Sequence, residues 1–526
     1  MATTLTPQSV SLEAPKQQSA EVNPVVRVFN RIFTRHLLNA AILMVVPLVF
    51  AQPLRQAIEL LRDADLWWHL ADARNLLATL HFVQVEPYSF SVAGQRWVNP
   101  EWLSEVPYWL GFRFFHFTGI YLVTWLGLAA NVLFVYWRGY LKSGHMAAAF
   151  WAAALGFELM TVNSGPRTII IAYLALSAEL AILEALERGN RRLLWLMPPL
   201  FCVWINLHGS WMIGLGLLVL YIASGLFTFQ KGIFDQAARS FEENKRLAGV
   251  CFASIVALFV NPYGWQLVYN PVDMILNQKL NIANAEEWQP LNLGWFVGKC
   301  ALLAIVLRIL SNCIRGRKWK LYEIVFIIFA WFSAFDHARF AFLAAVITTP
   351  FLAADMQRAF CAHSNVKKTI PFFNALLVGE AVWMIFHIVP SERELQKDYD
   401  QLFPHQTLAM IQPNWHTFNG ADLGGIMAFE SKPSYIDSRL DTFEHHGVLA
   451  AYLETIRLQD SFENLDKWHI DHILFPAHTP FIYLLEHSGG WREVKHEGEG
   501  RESYVLLERA NSAKNAGPAR SFSAEQ

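Results

Sequence analysis

Charge is what this chain of 526 residues has least of: Asp, Glu, Lys and Arg make up only 16% of it, against about 25% in an ordinary soluble domain. A freely soluble protein is excluded on that ground. The charge present nearly cancels, Lys+Arg 42 against Asp+Glu 44, so no broad basic field exists to draw a nucleic acid. Cysteine is scarce as well. The five cysteines, Cys202, Cys251, Cys300, Cys313 and Cys361, lie in apolar runs or in a basic loop beside one, and none falls in the polar C-terminal segment. Disulfides therefore cannot hold that segment together. No GxGxxG or GxxxxGK[ST] occurs anywhere, which removes the glycine loop that a nucleotide-sugar enzyme would use to cradle phosphates. Residues 1–25 are polar, with Pro, Ser and Gln, and read as a disordered lead rather than a cleavable signal peptide.

What the chain has in excess is apolar surface: 54% hydrophobic residues, with 39 Phe and 20 Trp. Lipid is the solvent this composition suits. Apolar windows fall near 37–53, 119–137, 145–163, 168–186, 193–207, 211–229, 247–262, 297–311, 321–335, 340–355 and 371–389. The fold class expected is a polytopic α-helical membrane protein with about 11 transmembrane helices over residues 26–390 and a long first loop at 54–118. Several windows are shorter than the roughly 20 residues a perpendicular span requires, so neighbours must bury their ends.

Lys and Arg resist translocation and gather in cytoplasmic loops. Here one alternating set of loops holds Lys16, Arg27, Arg31, Arg35, Arg138, Lys142, Arg188, Arg191, Arg192, Lys231, Arg239, Lys245, Arg246, Arg308, Arg315, Arg317, Lys318, Lys320, Arg358, Lys367 and Lys368. The other set, with more loop residues, holds little beyond Arg55, Arg62, Arg74, Arg96, Arg113, Arg167, Lys279 and Arg339. A cytoplasmic N-terminus follows, and with eleven spans an extracytoplasmic C-terminal segment. The residues with unusual chemistry then collect on the outer face: Asp63, Asp65, Asn99 and Glu101; Asn163 and Arg167; Asn206 and His208; Asn261, Glu286 and Glu287; Asp336, His337 and Arg339.

In the first outer loop, DADLWWHLADARNLLATL at 63–80 repeats Leu66, Trp67, Leu70, Leu77 and Leu80 at helical spacing, the pattern of an amphipathic helix resting on the membrane. A second such stretch, EWLSEVPYWLGFRFF, follows at 101–115. Asp63 and Asp65 stand where a helix N-cap stands, or they place a carboxylate at the membrane surface; spacing leaves both open. Trp67, Trp68, Trp97 and Trp102 read first as interfacial anchors and second as platforms for a sugar ring.

The run Asp65-Leu66-Trp67-Trp68-His69-Leu70-Ala71 just past the first span, followed by Asn99-Pro100-Glu101-Trp102-Leu103, resembles the GT-C glycosyltransferase superfamily, which includes protein O-mannosyltransferases, aminoarabinose transferases and oligosaccharyltransferase catalytic subunits. The resemblance covers residues 37–390 as architecture and is sharp only at 63–103. It implies a catalytic carboxylate after the first span, here Asp65 with Asp63 as fallback, two interfacial helices in the first outer loop, and a donor sugar carried on a polyprenyl phosphate. The superfamily also implies a second acid after the third span, often within a metal site. This chain departs from that pattern: its second outer loop has no carboxylate, and the nearest is Glu158 inside the span. A divalent metal thus stays possible, with no ligand set to name.

Other loops supply groups for such a donor. Arg167 in NSGPR and Arg339 in DHARF are cations at outer span ends, able to meet phosphate oxygens or simply to snorkel. His208 in INLHGSW faces a polar cavity or serves as a structural histidine, and Glu287 beside Trp288 suits a sugar or a solvated loop. The expected substrate-binding set is Glu158, Arg167, His208, Glu287, Arg339, Trp68 and Glu101. Glu380, mid-span in the last window, has no role.

Residues 391–510 carry ten Lys/Arg against twenty Asp/Glu and nine of the 18 His. Helical patterns at 404–412 and 443–458 alternate with the strand-like runs SYID, DHILF and SYVLLER, giving a small extracytoplasmic α/β domain; residues 511–526 read as a disordered tail. The expectation is a glycosyltransferase of the bacterial inner membrane acting on its outer face, with a glycan, lipid or protein acceptor. The alternatives are a non-enzymatic membrane protein that binds a glycan or protein partner, and a transporter or lipid flippase. A transporter would be expected to show two related halves with ionisable groups at the midplane, and no such repeat is evident.

Overall fold

The computed structural model describes residues 34–361 and 371–510. The expected lead and tail, and the cations at positions 16, 27, 31, 367 and 368, lie outside the described residues. Each of the eleven apolar windows falls on a helix: Arg35–Phe50, Trp102–Ser143, Met146–Met160, Ile169–Glu187, Met197–Leu207, Trp211–Ser224, Phe241–Ala257, Phe296–Ile314, Leu321–Asp336, Ala341–Phe360 and Pro371–Ile388. Among the described residues six segments are long and apolar enough to cross a membrane: Trp102–Ser143, Met146–Asn163, Ile169–Glu187, Phe296–Ile314, Ala338–Phe360 and Pro371–Ile388. The chain is a multi-pass helical membrane protein.

Lipid demands internal satisfaction of backbone polar groups and rewards close helix contact through small residues. The helix Ala341–Phe360 is buried almost throughout, and its Thr349 and Ala353 pack against Gly156 and Gly139 of two neighbours. Asn131, wholly buried, donates to Gly127 O at 2.9 Å in its own helix and to Ile170 O at 2.8 Å in the next. At one end of the bundle Arg138 meets Glu184 at 2.8 Å, and Arg308 and Arg317 converge on Asp355. The loops at the other end form the cluster described below.

Two features depart from the sequence pattern. The Trp102–Ser143 helix is bent at His116 (φ 50°, ψ −135°), so its first part is an arm joined to a membrane helix. The amides orphaned by the bend are taken up by Glu392, which accepts from Phe117 N at 3.2 Å and from Thr118 N at 2.8 Å. The helix Ala64–Thr79 does not lie with its apolar side on the membrane. Leu66, Trp67 and Leu70 are fully buried, and Trp67 is ringed by Phe117, Tyr399, Phe403 and Phe429 at 5.1–6.4 Å between centroids. Residues from the C-terminal segment cover the face that periodicity assigned to lipid. The expectation that Trp67, Trp68 and Trp97 are interfacial anchors is corrected for the same reason: all three are buried.

The C-terminal segment carries a four-stranded sheet, β1 (Thr417–Asn419), β2 (His472–Pro476), β3 (Trp491–Glu497) and β4 (Tyr504–Arg509), in the order β1-β2-β4-β3. β1 and β2 run parallel and the other pairs antiparallel. DHILF and SYVLLER are strands as expected. SYID is not one; Ser434 bridges instead to Ser89 of the first loop. Phe418, Ile473, Val505 and Leu507 help build a core on this sheet, whereas Leu395, Leu402, Leu423 and Met427 join the main core of the bundle.

Candidate functional site

Asp63 has extended backbone (φ −61°, ψ 113°) and caps the helix Ala64–Thr79, its Oδ1 accepting from Asp65 N at 3.1 Å. Its Oδ2 accepts from Arg167 Nε at 3.0 Å. Both oxygens are engaged, so the capping alternative belongs to Asp63 and its use as a fallback base is corrected. That approach depends on Gly165 of the NSGPR turn, where an added Cβ would sit 2.9 Å from Asp63 Oδ2.

Asp65 is one step inside the helix and makes no cap. Its Oδ1 accepts from Trp68 Nε1 at 3.1 Å, three residues on. No described residue bonds to its Oδ2. Trp68 is held by this bond and has one face taken by His69, with ring centroids 3.7 Å apart, and it is almost wholly buried. The expectation of a sugar platform at Trp68 is therefore corrected: its indole N–H orients a carboxylate.

Around Asp65 the loops interlock. Arg167 Nη1 is paired with Glu287 Oε2, and Arg339 Nη1 meets Glu287 Oε1 at 3.2 Å, so one carboxylate bridges two guanidiniums. Arg339 also lies over Trp288, 4.3 Å from the ring centroid. The turns bearing these residues are tied together: Ala338 N donates to Gln289 O at 2.8 Å, and Asn163 Nδ2 to Arg339 O at 2.9 Å. Asp63 is the leading cause that raises the Arg167 guanidinium above its ordinary value. Burial works to raise the Glu287 carboxyl, yet Arg339 and Arg167 outweigh it and hold the group below its ordinary range.

Glu101 lies on the other flank. Its Oε1 is 3.1 Å from His208 Nε2 and its Oε2 is 3.5 Å from His69 Nε2, with Thr168 Oγ1 donating to the same oxygen. Burial pushes the Glu101 carboxyl up, and burial followed by the nearby Arg339 charge pushes the His208 imidazole down to about 3. From His69 the network continues to Glu105 Oε1 at 2.8 Å, which also accepts from Asn99 Nδ2; Asn99 in turn donates to Asp72 Oδ2 at 3.0 Å, and Tyr88 bonds the other Asp72 oxygen. Burial, then the Glu105 charge, raises the Asp72 carboxyl well above its ordinary value.

The structure thus brings together Asp63, Asp65, Trp68, Glu101, Arg167, His208, Glu287 and Arg339. Glu158 is not among them: no ion pair or hydrogen bond joins its carboxylate to the cluster, and Cys300 is the group that feels its charge. The side chain of Glu286 lies outside the described set. Residues that the sequence reading missed are His69, Asp72, Glu105 and Asp422. The first two follow Asp65 at i+4 and i+7, and Glu105 follows Glu101 at i+4, a polar face that helical spacing could have revealed. Asp422, in the helix Ala421–Phe429, comes from the C-terminal segment; surrounding protein and then the charges of Asp65 and Asp63 raise its carboxyl, although the side chain itself opens to solvent. Among the described residues no group of three or more His, Cys, Asp or Glu side chains is arranged to hold a metal ion.

No family model matches the chain, and no curated protein sequence matches it. Solved structures do. The oligosaccharyltransferase of Archaeoglobus fulgidus in its apo form is similar over 84% of this chain and 69% of its own, with a TM-score of 0.51 and 12% identity. The same protein in complex with Zn and sulfate gives 0.50 and 14% over 84% and 68%. ArnT from Cupriavidus metallidurans bound to undecaprenyl phosphate is similar over 90% of this chain and 99% of its own, at 0.48 and 12%. The likeness to the oligosaccharyltransferase is one of fold, the architecture that the resemblance over residues 37–390 led one to expect.

Proposed function

We propose that the chain is a glycosyltransferase that moves a sugar from a polyprenyl-phosphate donor to an acceptor hydroxyl at the outer face of a bacterial inner membrane. The observation that supports this most is the state of Asp65: a carboxylate with one oxygen fixed by Trp68, the other unengaged by any described residue, and a charge that the Arg167 guanidinium feels. Asp65 takes the proton as the hydroxyl oxygen attacks the anomeric carbon. The bond from that carbon to the phosphate oxygen breaks, and Arg167 and Arg339 stabilise the charge that grows on the departing phosphate through N–H groups that Asp63 and Glu287 leave free. Glu287 keeps the two guanidiniums side by side. Asp63 and Glu287 are poor ligands for a metal, since guanidiniums already hold their oxygens, and no step here is routed through one.

Asp65→Asn is the test. Asn keeps an acceptor for the Trp68 indole, so the fold survives, but it cannot take the proton; transfer of sugar from a synthetic polyprenyl-phosphate donor by purified protein should fall about 10²- to 10⁴-fold. Full turnover by that variant would end the assignment. Transport is a second reading favoured by one residue. Glu179, mid-helix in Ile169–Glu187, is fully buried and neither carboxylate oxygen has a partner among the described residues, which is the kind of acid a transporter keeps within the bilayer. Counterflow in vesicles that is lost in Glu179→Gln, without sugar transfer, would decide for it.

A further inference from the structure

The end of the bundle opposite the Asp65 cluster carries a cavity of about 300 Å³, open on one side. It is formed where four helices end together: the C-terminal ends of Ile169–Glu187 and Trp211–Ser224, the turn before Met197–Leu207, and the start of Phe241–Ala257. Its walls are divided by chemistry. Leu186, Leu194 and Leu247 form an apolar side, and Arg191, Arg239 and Arg246 supply three cations.

The three arginines are not equivalent. Arg239 is built in: it stacks 3.9 Å from the Tyr221 ring centroid, donates to Tyr221 O at 2.9 Å and lies 3.5 Å from Glu187. Its charge is fixed at the back of the cavity. Arg191 is paired with Glu243 at the rim, where both are partly exposed. Arg246, one turn along the same helix from Glu243, is exposed and has no hydrogen bond or ion pair with any described residue. Glu187, the other acid of the lining, is already bound by Lys320. Next in sequence to lining residues, Trp195 and Leu196 follow Leu194 and Phe241 lies between Arg239 and Glu243; each is more than half exposed, as aromatic and apolar side chains are at the level of lipid headgroups.

We infer that this cavity is a binding site for the phosphate of an anionic phospholipid, held by Arg246, Arg191 and Arg239, with the acyl chains leaving past Leu194 and the exposed Trp195. Basic pockets between helix ends at one membrane face recognise anionic headgroups, and the fixed Arg239 supplies the orienting contact that a merely snorkelling cation lacks. The site is independent of the Asp65 cluster, and its occupant is a structural or regulatory lipid, not the sugar donor. A phosphate group could also come from solution, and the two sources are separable.

The full chain, purified in a neutral detergent, is reconstituted into nanodiscs of mixed phosphatidylglycerol and phosphatidylcholine, then re-extracted, and the co-purifying lipid is quantified by mass spectrometry. Wild type should retain phosphatidylglycerol over phosphatidylcholine. Removing Arg246 or Arg191 should lower that preference about fivefold each and charge reversal in Arg246→Glu about 30-fold, while the melting temperature in pure phosphatidylcholine stays that of wild type. Arg191→Gln, at the exposed rim, serves as a second variant. Millimolar inorganic phosphate should leave the bound lipid in place, because it offers nothing to the apolar wall. Equal retention of both lipids by wild type, an unchanged preference in Arg246→Glu, or displacement by inorganic phosphate would each overturn the lipid site.

Discussion

His208 is neutral because it is buried, and that has a measurable consequence for stability. Its imidazole sits at about 3 in the folded chain against an ordinary value of 6.5, with burial as the first cause and Arg339 as the second. Below pH 6.5 the unfolded chain binds a proton that the folded chain refuses, so the contribution of His208 is fully present above pH 6.5 and is lost as pH falls toward 3. Between pH 7.5 and 5.5 the loss is about 1.4 kcal/mol, one proton over the part of that window in which unfolded histidine charges. Glu101, 3.1 Å away, works with the opposite sign. Its carboxyl is raised, so its contribution is greatest below the unfolded value and fades as pH rises through the folded one. Comparing wild type with His208→Gln isolates the histidine, because Gln does not titrate and Glu101 remains. Denaturant or thermal unfolding in one detergent at pH 7.5 and 5.5 should show wild type losing about 1.4 kcal/mol more than the variant over that interval. Parallel pH profiles would refute a buried, neutral His208. A wild type that gains stability on acidification relative to the variant would mean that the imidazole is charged and paired with Glu101.

Two glycines give further tests. Gly165→Ala places a methyl 2.9 Å from Asp63 Oδ2; that oxygen must shift against Arg167, and unfolding should show a loss of about 1 kcal/mol, with Gly165→Ala adding little once Asp63 is already Ala. At Gly425 an added Cβ would collide with the carbonyl of Ala64, the residue between Asp63 and Asp65. Gly425→Val should cost about 3 kcal/mol, detach the C-terminal segment from the helix Ala64–Thr79 in limited proteolysis, and abolish transfer; wild-type protease resistance would count against that docking.

The membrane helices were legible because lipid leaves few options: a span must be long, apolar and internally bonded, so each of the eleven windows fell on a helix, and six segments among the described residues are long and apolar enough to cross a membrane. The first loop was legible only in part. Helical spacing gave the helix Ala64–Thr79 its bounds, yet the same spacing assigned Leu66, Trp67 and Leu70 to the membrane, since nothing local indicates that Tyr399, Phe403 and Phe429 come back over 300 residues later to cover them. Asp63 and Asp65 were indistinguishable by sequence; the division between cap and free carboxylate is a matter of which residue takes extended backbone. Arg167, Glu287 and Arg339 were each legible as a charge at a span end. Their convergence on one carboxylate joins turns more than 100 residues apart, and no periodicity encodes that. Glu158 misled because its place one turn inside a span resembled a site, while no ion pair or hydrogen bond joins its carboxylate to the cluster among the described residues.

A buried network of this kind is poor evidence for stability: apolar side chains of similar volume would often hold a fold as well or better, because ion pairs repay their desolvation poorly. Its order is what needs a cause. Glu287 is neutralised by Arg167 and Arg339, and Asp63 by Arg167 and a backbone amide. Asp72 and Glu101 are raised by burial toward their protonated forms and held by hydrogen bonds. His208 is kept uncharged by the same burial. Each of these groups is satisfied by its neighbours and has little left to offer a substrate. Asp65 differs, since Trp68 fixes one oxygen and the other faces no described partner. A carboxylate oriented by an indole, with its charge felt by the Arg167 guanidinium, can accept a proton at one atom while a cation in the same loop cluster meets a departing anion. Replacing Trp68 by Phe would keep the packing against His69 and Trp97 but remove the N–H, so the proposed base would lose its aim while the bundle stays intact.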